Sequence, residues 1–100
     1  MDPWHAYLIR CKDNSLYAGI TTDVSRRFTE HQNHPLKGAK YLKGKGPLIL
    51  AWQAEIGNRN TALKVERKIK TLPKAAKEKL VKGEINIQDI VRTVSSTDNS

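Results

Sequence analysis

Five side chains in this chain are suited by type and spacing to chemistry on a phosphodiester. Tyr7 and Tyr17 frame a short block, Tyr7-Leu-Ile-Arg-Cys-Lys-Asp-Asn-Ser-Leu-Tyr17-Ala-Gly19. Arg27 and His31 follow at once in Thr22-Asp-Val-Ser-Arg-Arg27-Phe-Thr-Glu-His31, and Glu66 comes about forty residues later. Cleaving a phosphodiester needs an activated water, neutralisation of charge growing on the phosphoryl oxygens, and help for the leaving oxygen. A guanidinium such as Arg27 can grip two phosphate oxygens at once. A carboxylate such as Glu66 can hold Mg²⁺ or Mn²⁺, with water and substrate oxygen completing the shell. A phenol or imidazole can take the water's proton or orient it.

Each of these residues also has an ordinary structural use. Tyrosine is a good strand former, and Arg27 follows another surface-type arginine, Arg26. His31 could cap a helix end, and Glu66 has an ion-pair partner at Lys70, four residues on. Only the combination lifts the chemical reading above these.

The elements that must position them are legible. Residues 5–11 and 16–20, rich in Tyr, Leu and Ile around Lys12-Asp13-Asn14-Ser15, predict a β-hairpin. With an odd-length turn such as Asp13-Asn14-Ser15, odd residues of both strands share a face. Tyr7 and Tyr17 then point the same way, with open space beside Gly19. Thr22 is the expected N-cap of a helix running to about Gln32, with Val24, Phe28 and His31 as its inward stripe and Arg27 at the stripe's border.

Residues 33–47 read as a flexible basic loop. Lys37, Lys40, Lys43 and Lys45 are its candidate nucleic-acid contacts, and Tyr41 adds one aromatic. Leu48–Ile56 reads as a strand buried on both sides. A second helix is expected over about Thr61–Leu72, with Ala62, Val65, Ile69 and Leu72 inward and Glu66 on or beside that stripe. A carboxylate so placed needs a cation, several donors or a metal. Pro73 predicts a break before a helix over 74–82 that ends at Gly83. Residues 86–94 predict a short helix, and 95–100 a frayed tail.

Composition narrows the class. One hundred residues bound a single domain, 1–83, with 84–100 as a C-terminal extension. Lys and Arg number 18 against 10 Asp and Glu; residues 84–100 hold one basic and three acidic groups, leaving a net +10 on residues 1–83. Such a domain favours polyanionic partners, nucleic acid first. The lone Cys11 excludes an intramolecular disulfide. No stretch resembles a signal peptide or membrane span, so the expectation is a cytoplasmic protein without membrane contact. His5, His34 and Cys11 lack the spacing of a structural zinc site, and no glycine pattern matches a P-loop or dinucleotide loop.

In order and spacing these motifs resemble the GIY-YIG nuclease superfamily, particularly its small stand-alone bacterial members. His5-Ala6-Tyr7 and Tyr17-Ala18-Gly19 resemble the two signature elements, and the segment through His31 resembles the helix bearing the catalytic arginine. Gly38-Ala39-Lys40-Tyr41 with Gly46-Pro47-Leu48 resembles the segment that follows, and Ala62-Leu63-Lys64-Val65-Glu66 the helix bearing the metal-binding glutamate. Here His-Ala replaces the literal Gly-Ile, Ala18 replaces Ile, and Ile20 stands where some members carry lysine. The likeness spans about residues 4–82.

The resemblance implies an α+β (α/β) domain, a three-stranded antiparallel sheet flanked by helices. It implies a divalent-metal-dependent endonuclease acting on DNA, in a setting such as repair or recombination. Tyr7 would be general base or its hydrogen-bonded helper and Tyr17 would position the water. Arg27 would stabilise the phosphoryl group, His31 would share in proton handling, and Glu66 would bind Mg²⁺ or Mn²⁺. Many members join the nuclease module to a targeting domain. None is read here, so specificity is expected from DNA structure, a short sequence or a partner protein. The alternative is a non-catalytic nucleic-acid-binding module that keeps the fold, and the motifs do not separate DNA from RNA.

Overall fold

The first hairpin turns on Asn14, whose φ of 72° is a left-handed conformation that Asn tolerates better than most residues. The structure is a computed structural model that describes residues 2–33 and 38–96. The turn joins β1 (Trp4–Arg10) to β2 (Leu16–Thr21). Asn14 N–H donates to the Cys11 carbonyl and Cys11 N–H to the Ser15 carbonyl, both at 2.9 Å. Asp13 accepts from Ser15 N–H at 3.1 Å and from its hydroxyl at 2.6 Å. The turn is thus Lys12-Asp13-Asn14, one residue earlier than expected but still odd in length. Pairing of Tyr7 with Gly19 and Ile9 with Tyr17 keeps both phenols on one face.

β3 (Ile49–Gly57) pairs antiparallel with the other side of β1, giving the strand order β2-β1-β3. The expectation that this apolar run is buried on both sides fails. β1 takes the central place, and β3 is an edge whose Ile49 is 60% exposed, with Gln53 and Glu55 also open to solvent.

The two faces of the sheet have separate cores. Even-numbered Ala6, Leu8, Leu16 and Ala18 pack with Val65 and Ile69 of α2 (Arg59–Thr71), Leu80 of α3 (Lys74–Lys82), and Ile90 and Val94 of α4 (Ile87–Ser96). Full burial of each Val, Leu or Ile among them contributes about 1.5–3 kcal/mol. Odd-numbered Tyr7, Ile9 and Cys11 pack with Val24 of α1 (Val24–Asn33), Leu42 and Leu48, with Phe28 alongside.

The caps fix where the helices start. Asp23, not Thr22, caps α1. Its carboxylate accepts Arg26 N–H at 3.1 Å, while Thr21 Oγ1 accepts Asp23 N–H at 3.1 Å and delays the start by one residue. Asn58 caps α2 by accepting Thr61 N–H at 2.8 Å. Gly83 ends α3 in the left-handed conformation, as expected. Residues 97–100 of the expected tail lie outside the described residues.

The basic loop is more tied than its composition suggests. Lys40–Leu42 forms one 3-10 turn that buries Leu42. The Lys45 carbonyl accepts Lys12 N–H at 2.9 Å, Tyr41 donates its hydroxyl to Ser15 Oγ at 3.3 Å, and Lys45 Nζ donates to Asp13 at 3.3 Å. These bonds strap residues 41–45 onto the hairpin turn. Among the described residues no helix is long and apolar enough to cross a membrane.

Candidate active site

Tyr7 is the buried centre of the cluster. It extends from the central strand across its cross-strand partner Gly19, and the expected open space there is filled by the phenol. A Cβ on Gly19 would stand 2.5 Å from Tyr7 Cζ and nearer still to the hydroxyl, so only glycine admits the ring in this position. From α1, one turn past Arg27, His31 brings Nε2 to 2.9 Å from the Tyr7 hydroxyl.

The other imidazole nitrogen fixes which way that bond runs. Ala39 N–H donates to His31 Nδ1 at 2.9 Å. A nitrogen that accepts cannot carry the ring proton of a neutral imidazole, so the proton sits on Nε2 and is donated to the phenol oxygen. Burial, then the positive charge of Arg27, pushes the His31 pKa down to about 4, with Glu30 opposing. His31 is therefore a neutral, fixed donor.

Burial likewise pushes the Tyr7 phenol up to about 12, helped by Tyr17 and more weakly by Glu66, whereas Arg27 draws it down through charge and hydrogen bonding. Arg27 is half-buried beside the phenol and is held by Glu30, 2.9 Å away and three residues on. Glu30 also meets Arg26 at 3.6 Å.

Tyr17, on the open edge strand β2, places its ring edge-on 5.8 Å from that of His31. Its ring stacks on Tyr41 at 5.6 Å and 21°, and Lys70 Nζ lies 5.8 Å from its centroid. Lys70 belongs to a helix packed on the opposite face of the sheet, so this flank of α2 reaches round the edge of β2. Glu66 shares that flank. Its side chain is 20% exposed, Lys70 stands 3.5 Å away, and its charge is felt at Tyr7.

Tyr7, Arg27 and His31 are in direct register, Tyr17 adjoins them, and Glu66 approaches from around the edge. Among the described residues no three His, Cys, Asp or Glu side chains gather into a metal cage. Glu66 is a lone hard-oxygen donor, which fits a Mg²⁺-type ion held by one carboxylate, water and substrate phosphate.

The lysines are spread out. Lys40 and Lys43 are exposed, and Lys45 is half-buried against Asp13 with Nζ 4.0 Å from the Tyr41 centroid. Lys37 lies outside the described residues. Two contributors went unread in the sequence. Glu30 was signalled by its i, i+3 spacing from Arg27, and the Ala39 backbone N–H carried no signal. Tyr41 was read as the aromatic of the basic loop but not as the partner of Tyr17.

Comparison with known proteins places this geometry in context. A family model described as the GIY-YIG catalytic domain matches residues 3–79. A UPF0213 protein of Cronobacter sakazakii is 56% identical over 85 residues, covering 85% of this chain and 87% of that protein. The UPF0213 protein YhbQ of Salmonella typhimurium is 57% identical over 81 residues, covering 81% and 79%. The solution NMR structure of a UPF0213 protein from Bacillus halodurans is 39% identical with a TM-score of 0.50, covering 79% of this chain and 82% of that one.

Proposed function

The chain belongs to the GIY-YIG catalytic-domain family, and from that premise we propose that it is a divalent-metal-dependent endonuclease that hydrolyses phosphodiester bonds in DNA. The observation that carries the reading is the phenol of Tyr7, buried against Gly19 and approached by two donors, His31 Nε2–H and the Arg27 guanidinium. A purely structural tyrosine has no need of two donors converging on its oxygen.

In this reading Tyr7 takes the proton of the attacking water as phenolate, while His31 and Arg27 stabilise the negative oxygen. Tyr17 orients the water from the open side. Arg27 also neutralises charge growing on the phosphoryl oxygens as the new P–O bond forms and the bond to the leaving oxygen breaks. Glu66 would hold a Mg²⁺ or Mn²⁺ ion, which when bound polarises a phosphoryl oxygen. Neutralising the Glu66 charge also removes one of the groups that keep the Tyr7 proton on. The exposed Lys40 and Lys43 add contacts to the phosphate backbone, with Lys45 on the same loop and Lys37, near them in sequence, as a further candidate.

The test is cleavage of labelled DNA with Mg²⁺ or Mn²⁺. Loss of cleavage by about 10²–10³-fold in folded Arg27→Ala protein is expected, and unchanged cleavage would refute the assignment. A second reading, a binding module without catalysis, is favoured by one observation: Lys70 already satisfies Glu66 at 3.5 Å. Under that reading DNA binding falls steeply with salt and EDTA changes nothing.

A further inference from the structure

We propose that the groove along the open edge of β2 is a subsite for one unpaired nucleotide flanking the scissile phosphate, an inference that rests on the nuclease reading. The groove is a cavity of about 270 Å³ lined by Leu16, Tyr17, Ala18, Tyr41, Lys70 and Lys77. It adjoins the catalytic cluster because Tyr17 belongs to both. The same ring that lies 5.8 Å from His31 also forms the wall of the groove.

The lining divides by chemistry. The edge of β2 at Leu16–Ala18, whose own aliphatic side chains are buried in the core, forms the floor, and the stacked pair Tyr17–Tyr41 supplies an aromatic wall. Lys70 of α2 and Lys77 of α3 supply two cations; Glu66 stands 3.5 Å from Lys70 behind the groove, and among the described residues that line it there is no carboxylate. An inorganic anion would use the lysines and leave the rings idle. An aliphatic ligand would use neither ammonium group. A nucleotide uses both, with its base on the apolar and aromatic surface and its phosphate on the ammonium groups.

The wall is rigid. Tyr41 is stacked on Tyr17, approached by Lys45 at 4.0 Å from its centroid, and bonded through its hydroxyl to Ser15 at 3.3 Å. A base therefore packs against the rim of the stacked pair rather than between its rings, in the edge-to-face manner that aromatic groups favour. The cavity is smaller than the ~300–1,000 Å³ of a typical ligand cleft, which suits one base and not a base pair. A duplex also keeps its base faces stacked inside and presents sugar, phosphate and base edges, but no base face, to such a wall. The occupant is accordingly an unpaired nucleotide, which assigns a substrate with a single-stranded stretch beside the cut.

The test uses binding without cleavage. Full-length Tyr7→Phe protein in EDTA is titrated, by fluorescence anisotropy, into labelled oligothymidine, oligouridine and a blunt DNA hairpin whose loop is a non-nucleotide linker. Adding Lys77→Gln is expected to weaken single-strand binding about five-fold and to make the dependence of log K on log salt shallower by about 0.7. Tyr41→Leu is expected to weaken it about five- to ten-fold, and the blunt hairpin should be unaffected by either. Equal losses for DNA and RNA mean that the sugar is not read, and a loss confined to one assigns the nucleic acid.

Unchanged single-strand affinity and salt slope in Lys77→Gln would overturn the proposal. So would absence of single-strand binding by the parent, or equal weakening of the blunt hairpin. Lys77 is half-buried but belongs to neither core cluster, so this arm holds even if Tyr41→Leu unfolds. A Lys77 effect in a wild type that never cleaves would remove the nuclease reading and keep the subsite. Cleavage without a Lys77 effect would do the reverse.

Discussion

His31 Nε2 stands 2.9 Å from the Tyr7 hydroxyl, and because Ala39 N–H already occupies Nδ1 at 2.9 Å, the imidazole can give the phenol a hydrogen bond but cannot take its proton. Under the proposed mechanism this leaves Tyr7 as the proton acceptor in water activation. With its pKa pushed up to about 12 by burial, the phenol is mostly protonated at neutral pH. Cleavage rate should climb steadily between about pH 6 and 9, with no step near the ordinary histidine pKa of about 6.5. A pH–rate profile with a plateau set by a group of pKa 6–7 would instead make His31 the base.

The same histidine makes the fold acid-sensitive. Its folded pKa is depressed to about 4, so the unfolded chain takes up a proton first as pH falls. Stability from this group is complete above about pH 6.5, declines on the way down to about pH 4, and levels off below. The total loss should be at most about 3 kcal/mol. Urea melts across this range should show the decline in wild type, and His31→Gln should flatten it. NMR should find the ring still neutral, with its proton on Nε2, at pH 5–6.

Gly19→Ala tests whether the phenol needs its bed. The new methyl would occupy the place of the Tyr7 ring end, displacing it from His31 at an overpacking cost of about 1–3 kcal/mol. Cleavage should drop at least as far as in Tyr7→Phe, about 10²–10⁴-fold. In stability, Gly19→Ala and Tyr7→Ala should be strongly non-additive, since removing the ring removes the clash. Additive losses in thermal melts would mean that the two residues do not share this space.

Much of this was readable from residue type and spacing, and the failures have physical causes. The parity of positions 7 and 17 put both phenols on one face although the turn lay one residue away from Asp13–Ser15, because two odd-length turns preserve parity. Helix stripes such as Ala62, Val65 and Ile69 followed directly from periodicity. Strand order was not local information. The apolar run Leu48–Ile56 read as a strand buried on both sides, and its pairing with β1 alone made it an edge. The Asp23 cap depended on Thr21 taking the preceding N–H.

Of the candidate site, the five side chains were visible by type and the contacts that fix them were not. Glycine at position 19 could be read as space, but which ring fills it depends on register. The contact that fixes the His31 tautomer comes from a backbone N–H at Ala39, a group every non-proline residue carries and no motif can flag. The strap formed by Tyr41 and Lys45 was hidden by a composition that reads as flexible.

Glu30 offers a check on positioning. It holds Arg27 at 2.9 Å, and removing its charge in Glu30→Gln should leave the guanidinium less well placed. The expected result is a fall of about ten-fold in kcat with little change in KM. A change confined to KM would mean that Glu30 acts on substrate binding instead.

The most direct measurement is a single-turnover cleavage assay on a labelled DNA carrying single-stranded and duplex stretches. It compares wild type, Tyr7→Phe and Glu66→Gln, each with Mg²⁺, Mn²⁺ or EDTA, after circular dichroism has shown all three folded. The expected result is metal-dependent nicking by wild type that EDTA abolishes and that falls by about 10²-fold or more in both variants. Nicking that survives in both variants, or that ignores EDTA, would contradict the assignment of Tyr7 and Glu66 to one metal-assisted site.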